Sequence, residues 1–412
     1  MSARWTTGPG MLGPRRCRPV SLRSGLNPAL SEPDPTEGGL PFIGEIVNGC
    51  LGCGSAANTM CEHGVGGDER VSKPFLVAGR CRVIAEVGQS HDGSLGTAHA
   101  FLDAIADAGA DAVKFQTHIA EAESRPDEPW RVKFSPQDDS RFEYWKRMEF
   151  TPEQWHGLKA HADERGLFFL SSPFSEEAVD LLTDVGVAAW KVASGQITDL
   201  WMLERLAKTG WPVLFSTGMS PISEIDWAVS WAKDKGLEAA VMQCTSAYPS
   251  SLGGVGLNVM TELGERLAVP VGLSDHSGTI FPSLAAAALG AQLLEAHVTF
   301  SRQSFGPDVP ASVTFDELRT LVEGVRATET MLASPVDKDA VAVEMAEMRD
   351  LFMKSIVPRR DLAAGAVLRV EDLTTKKPAR GISAKRMHEI VGQTLSREVR
   401  AGEFLQEEDI ED

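Results

Sequence analysis

Charged and imidazole side chains interrupt the apolar runs of this 412-residue sequence at recurring places. In "LLEAHVTF" (293–300), Glu295 and His297 sit inside what otherwise reads as a buried strand. An unpaired charge there is costly, so each intrusion needs a partner or a task. Glu86 lies in "RVIAEVG" (82–88), with His91 just beyond. Lys114 and Gln116 lie in "DAVKFQT" (111–117), followed by His118, and Lys191 and Ser194 lie in "AAWKVAS" (188–194). Hydroxyls close other runs: Ser171 and Ser172 in "GLFFLSS" (166–172), Ser216 and Thr217 in "PVLFSTG" (212–218), Thr245 and Ser246 in "AAVMQCTS" (239–246) with Tyr248 after it. Ser274, Asp275 and His276 end "PVGLSDH" (270–276). A lone serine at a strand end usually caps the next helix. Several of them around two lysines suit a small anion such as phosphate or carboxylate. Lys191 cannot easily carry its ammonium to solvent from a buried strand. His276 and His297, on neighbouring runs near a carboxylate, suit a divalent transition metal with open positions. His91 and His118 lie just past their strands and read as well as ordinary loop residues.

The elements that must position these groups are eight such runs. Each is continuous rather than alternating, as expected of parallel strands covered on both faces. Helical segments fill the gaps. One has Thr151 as N-cap, Pro152 in the first turn, Gln154 for a capping box and Gly166 as a stop. Others run from Ser175 to Gly186 and from Ser220 to Gly236. This alternation predicts an α/β fold, a (β/α)8 TIM barrel over residues 73–330, with its chemistry at the C-terminal strand ends. A doubly wound sheet is the rival, but no Gly-rich dinucleotide turn follows the first strand. Residues 331–350 read as a charged helical linker. Residues 351–412, with the strand-like "KSIVPRRDL", "VLRVEDLTTKKP" and "REVRAGEFLQEEDI", read as a β-rich domain too small for an elaborate site of its own.

A hydrophobic content of 43% with 24% charged residues is that of a soluble globular protein. The formal charge of −18 argues against nucleic acid or an anionic membrane as the main partner. No apolar stretch is long enough to span a bilayer. Cys81 and Cys244 alone lie in the body, which shows no disulfide framework and fits a reducing, cytoplasmic compartment. Cys50, Cys53, Cys61 and His63 offer four zinc donors, although their spacing matches no common knuckle. Residues 1–72 therefore read as a disordered or weakly ordered extension. Five arginines and no acid before residue 32 leave organelle targeting open, without a convincing amphipathic helix.

In order along the chain, "AEVGQSHDGS", "AGADAVKFQTH", "SSPFS", "KVASGQ", "STGMS", "QCTSAYP", "GLSDHSG", "EAHVT" and "FGPD" resemble the sialic acid synthase family of N-acetylneuraminate, legionaminate and pseudaminate synthases. "LTTKKPARGIS" and "VGQTLSREVRAGE" are similar to the antifreeze-like (SAF) domain that family carries. The resemblance implies condensation of phosphoenolpyruvate with an N-acyl-mannosamine-like aldehyde, giving a nonulosonic acid and phosphate. It implies Mn2+ or Mg2+ on His276 and His297, polarising the aldehyde oxygen. Carried over by position, Lys114, Ser172 and Lys191 grip the phosphoenolpyruvate carboxylate, and Ser194, Ser216, Ser246 and Ser274 hold its phosphate. Glu86, Gln116, Tyr248, Glu295 and Asp308 line the sugar side. Glu86, Lys114, Lys191 and Glu295 are the expected catalytic residues, with Glu86 or Glu295 as acid or base. The antifreeze-like domain is implied to cap the partner subunit's barrel, making a domain-swapped homodimer.

This chain departs from the family at four positions. Ser90 precedes the first histidine where asparagine is frequent. Gln196 replaces a glutamate, Ser246 an asparagine, and Lys377 the cap-domain arginine that meets the N-acyl group. A lysine is not equivalent to an arginine fork. The phosphoenolpyruvate half of the pattern is intact, and the sugar stays open. Two other readings stand beside this one: a metal-free barrel aldolase using Lys114 or Lys191 as a Schiff base, and a non-catalytic carbohydrate- or ice-binding protein.

Overall fold

A computed structural model describes residues 74–411. The possible zinc donors Cys50, Cys53, Cys61 and His63 and the arginine-rich leader lie outside the described residues. Eight parallel strands pair in chain order: β1 (Arg82–Gly88), β2 (Ala112–Thr117), β3 (Phe168–Pro173), β4 (Trp190–Val192), β5 (Val213–Ser216), β6 (Ala239–Cys244), β7 (Val271–Asp275) and β8 (Leu293–Val298). β1 also pairs with β8, Arg82 opposite Leu293 and Glu86 opposite His297, which closes the ring. A two-residue strand, β9 (Ser312–Val313), adds to β8. A Cβ at Gly272 would run into the Leu293 carbonyl, so β7 and β8 approach this closely only because that position has no side chain.

Successive strand residues face opposite sides of the sheet. Outward residues such as Val83, Val113, Phe115, Phe169, Trp190, Phe215, Val241 and Leu294 pack with the helices in one large core. Inward, Ile84, Ala112, Leu170, Ala189, Leu214, Met242 and Leu293 form a second core with Phe75. Two residues further along these same inward rows stand Glu86, Lys114, Ser172, Lys191, Ser216, Cys244 and Glu295, all buried. The intruding polar residues are thus the upper storey of a barrel whose floor is apolar. Both faces being buried explains why the strands read as unbroken apolar runs.

Most helix boundaries fall where their caps predict. Thr151 and Gln154 form a reciprocal capping box on the helix Pro152–Glu164. Ser175 caps the helix Glu176–Val185, which ends at Gly186 with φ of 84°. The helix expected from Ser220 begins at Ile222 instead. Pro221 takes the cap position in extended geometry, and no side chain caps that end.

After the long helix Phe315–Leu332, the expected linker is two short helices, Lys338–Glu344 and Ala346–Phe352. The C-terminal domain pairs β10 (Ser355–Pro358) antiparallel with β11 (Leu373–Lys376) over its own core of Ile356, Leu362, Leu373, Leu395, Val399 and Leu405. The segment "REVRAGEFLQEEDI" is not a strand. It contributes only the isolated bridges Leu362–Val399 and Leu395–Ile410, because a turn at Gly402, with φ of 78°, breaks the pairing.

Candidate active site

The C-terminal ends of the strands open into a cavity of about 540 Å³. At its base two ammonium groups meet two carboxylates. Lys114 Nζ lies 2.7 Å from Glu86 Oε2 and 3.5 Å from Glu295 Oε1, and Lys191 Nζ lies 3.0 Å from Glu295 Oε2. Ser274 Oγ donates to Glu295 at 3.2 Å, and Lys114 donates to Ser172 Oγ at 3.4 Å. Burial opposes a charge on Lys114, but Glu295 and then Glu86 outweigh it and raise its pKa above the ordinary lysine value. Burial likewise opposes the Glu295 charge, and Lys114 and Lys191 reverse this, holding the carboxyl down at about 2. A Schiff-base lysine needs the opposite, an amine whose pKa is lowered. Lys114 is built to stay charged.

Ser194, Ser216 and Ser246 line the same cavity around Gly218. Gly218 N–H donates to Ser194 Oγ at 2.9 Å. A Cβ at this glycine would run into Ser246 Oγ and stand 2.9 Å from Ser194 Oγ and 3.0 Å from Cys244 Sγ, so its absence leaves a hollow between two hydroxyls and a thiol. Hydroxyl donors around such a hollow suit a phosphate. Cys244 packs there as a neutral thiol, its pKa pushed up by burial.

His276 and His297 come together as expected, with ring centres 5.2 Å apart. Tyr248 stacks on His276 at 4.2 Å and meets His297 edge-on at 5.8 Å. Burial, and then His297, push the His276 pKa down to about 3, so that ring is neutral. Its Nδ1 faces the Thr245 carbonyl at 2.9 Å and therefore carries the hydrogen, leaving a lone pair on Nε2. His297 Nδ1 is buried with no hydrogen-bond partner. A free lone pair and an orphaned nitrogen on facing imidazoles fit a divalent transition ion. Among the described residues no three His, Cys, Asp or Glu side chains form a cage. An ion on this pair would therefore keep positions open for oxygen ligands.

On the remaining side, Gln116 Nε2 donates to Glu86 Oε1 at 2.8 Å, and Asp308 lines the wall. Gln196 also faces the cavity, whereas Ser90 does not. His118 lines the cavity, stacked between Trp145 at 4.1 Å and Phe174 at 4.4 Å. His91 does not: it is buried in the outer core, 4.7 Å from the Phe150 ring, and burial lowers its pKa to about 3. Lys377 is the one expected site residue that its own chain does not bring to the cavity. Its Nζ sits 4.8 Å over the Phe352 ring in the C-terminal part.

Sequence reading missed Gln89, Trp130, Arg131, Arg141, Tyr144 and Trp145, which complete the lining. Arg131 covers the Tyr248 ring at 4.9 Å. Apart from Gln89, these come from the long segment between β2 and β3. Its length was the available signal, since barrels keep substrate contacts on extended βα loops.

Residues 101–337 match the profile of the NeuB family and residues 354–411 that of the SAF domain. The N,N'-diacetyllegionaminic acid synthase of Campylobacter jejuni is 33% identical over 79% of this chain and 98% of its own length. The human N-acetylneuraminate-9-phosphate synthase is 33% identical over 80% of this chain and 92% of its own. A solved structure of an N-acetylneuraminic acid synthetase from Leptospira borgpetersenii, in complex with citrate, superposes with a TM-score of 0.58 at 30% identity, covering 66% of this chain and 91% of that one.

Proposed function

The chain belongs to the NeuB family of sialic acid synthases, and from that premise we propose that it joins phosphoenolpyruvate to an N-acyl-mannosamine-like aldehyde, giving a nonulosonic acid and inorganic phosphate. One observation carries the reading: Lys114 and Lys191 stand in a buried cluster on the same cavity as the hollow between Ser194 and Ser246, with Ser216, His276 and His297 on its wall. Lys114, Lys191 and Ser172 take the substrate carboxylate, and Ser194, Ser216, Ser246 and Ser274 its phosphate. Glu86, Gln116, Tyr248 and Asp308 face the sugar. C3 of phosphoenolpyruvate attacks the aldehyde carbon, and the aldehyde oxygen takes up a proton. Water then adds at the cationic C2 and gives up a proton. The C2–O bond to the phosphate then breaks as the new C2 hydroxyl passes its proton to the departing phosphate, leaving a 2-keto acid and inorganic phosphate. Glu86 and Glu295 are the groups placed to move these protons. Lys114, held charged by its carboxylate neighbours, stabilises the anionic substrate throughout.

His276 and His297 would hold a divalent cation, Mn2+ or Mg2+, whose contribution when bound is Lewis acidity toward the aldehyde oxygen. Charge balance supports a cation there. Both lysines are already matched by carboxylates, so these four residues carry no surplus positive charge for a multiply anionic substrate. A homodimer with the SAF domain of one subunit over the barrel of the other accounts for two features. Lys377 lies away from its own cavity, and Val343, Leu351 and Phe352 on the linker helices are exposed. No helix among the described residues is long and apolar enough to cross a membrane.

The test is phosphate release from phosphoenolpyruvate against a panel of hexoses, hexosamines and their phosphates. Release is expected only with N-acyl-mannosamine-type aldehydes, lost on chelation, restored by Mn2+ and lost in His276→Ala. Full activity in His276→Ala, or no release with any aldehyde, overturns the reading.

A further inference from the structure

A hydrogen-bonded chain runs from Glu86 away from the reacting centre and ends on a second carboxylate. Gln116 Nε2 donates to Glu86 Oε1 at 2.8 Å, so Gln116 Oε1 must point the other way. That oxygen accepts from Gln89 Nε2 at 2.9 Å. The same Gln89 nitrogen is 2.7 Å from His118 Nε2. An amide NH2 has two hydrogens and no lone pair to offer, so His118 Nε2 is the acceptor. Its Nδ1 then carries the hydrogen, and it faces both Glu123 oxygens at 2.8 and 3.0 Å. The same Nε2 also lies 3.3 Å from Gln116 Oε1, but with the hydrogen held on Nδ1 by Glu123 it has none to donate there. Gln89 Oε1 is left buried without a partner, so the arrangement is kept although it orphans a carbonyl. The imidazole cannot turn out of it, because Trp145 and Phe174 stack on its two faces, 15° and 11° from parallel.

We propose that His118, held by Glu123, is a positioning residue that acts through Gln89 to lock the Gln116 amide with its NH2 toward Glu86 and the sugar end of the cavity. Gln116 therefore presents a donor there, and the site selects an aldehyde that offers an oxygen acceptor, a hydroxyl or an acyl carbonyl, at that point. Removing the His118 acceptor frees Gln89 to rotate, and with it Gln116. The phosphoenolpyruvate end rests on Lys114, Lys191 and the serines, and it meets this chain only where the other Glu86 oxygen pairs with Lys114. The assignment of Gln116 to the sugar rests on the synthase reading.

The kinetic test uses the full-length protein with phosphoenolpyruvate and the best aldehyde of the panel. His118→Ala is expected to raise KM for the aldehyde about tenfold or more, with KM for phosphoenolpyruvate changed less than about twofold. His118→Gln, whose side-chain carbonyl can replace Nε2 as acceptor, is expected to recover most of the loss. Gln89→Met, which keeps the volume and removes the donors, should repeat the His118→Ala signature should that variant fold poorly. Equal rises in both KM values, an unchanged aldehyde KM, or no recovery in His118→Gln overturns the proposal. A readout independent of turnover separates it from the synthase reading: 15N spectra of histidine-labelled protein should show His118 with its hydrogen on Nδ1. The Nε2–H tautomer refutes the chain even in an active synthase. The Nδ1–H tautomer with no turnover on any aldehyde keeps the chain and refutes the assignment of Gln116 to a sugar.

Discussion

Glu295→Gln isolates the charge that holds both lysines, since glutamine keeps the size of the side chain and a hydrogen-bonding oxygen for Ser274. A carboxyl held at about 2 instead of its ordinary 4.5 corresponds to roughly 3 kcal/mol of stabilisation. Removing one partner from a buried ion pair costs about 3–5 kcal/mol, because the other charge stays behind uncompensated. The folded-state value is the lower one, so this stabilisation is fully present above the ordinary carboxyl range and is lost as pH falls from about 4.5 toward 2. Between pH 5 and 8 the parent–variant difference should therefore be constant, a fall of about 6–12 °C in melting temperature. The variant cluster also carries a net positive charge where the parent cluster is neutral. Millimolar phosphate or phosphoenolpyruvate should consequently stabilise the variant more than the parent. Thermal unfolding followed by tryptophan fluorescence, with and without phosphate, reads both effects. A melting temperature within about 1 °C of the parent, with no added response to phosphate, would mean that Glu295 does not hold Lys114 and Lys191 as described.

Gly218→Ala puts a methyl group into the hollow between Ser194 and Ser246, and a rise in KM for phosphoenolpyruvate of about tenfold or more is expected in the phosphate-release assay, with little change for the aldehyde. His91 stays neutral in the folded state down to about pH 3, while the unfolded chain binds its proton near 6.5, so acid favours unfolding. Its share of the loss between pH 6.5 and 5 is about 2 kcal/mol, and His91→Gln should flatten the acid side of the melting-temperature profile accordingly. Lys191→Met leaves Glu295 with Lys114 alone, and loss of about a thousandfold or more in kcat/KM is expected from steady-state kinetics, whereas a Schiff-base lysine would instead be revealed by borohydride trapping in the parent.

Eight apolar runs with helix caps between them were enough to read a closed barrel, because strand burial and capping are local properties of the chain. Lys114, Lys191, Glu86 and Glu295 could be picked out for a related reason: a charge in a buried strand stands out against its neighbours. Which lysine faces which carboxylate was not legible, since Lys191 and Glu295 are 104 residues apart and meet only because β4 and β8 look into one cavity. His91 and His118 looked alike along the chain. The first turned into the aromatic outer core and the second into the cavity, a difference set by the path of the loops beyond β1 and β2. Trp130, Arg131 and Trp145 carried no local signal beyond lying in a long connection.

Composition, periodicity and residue type by themselves decided the architecture and marked the strand ends where buried charged and hydroxyl side chains gather. Those follow from which side chains tolerate burial and at what spacing. The tertiary structure alone decided the pairing of charges, the hollow at Gly218 and the hydrogen-bonded chain from Glu86 to Glu123. Each of these depends on distances between strands and loops far apart in sequence, and Coulomb and hydrogen-bond energies fall away over a few ångströms.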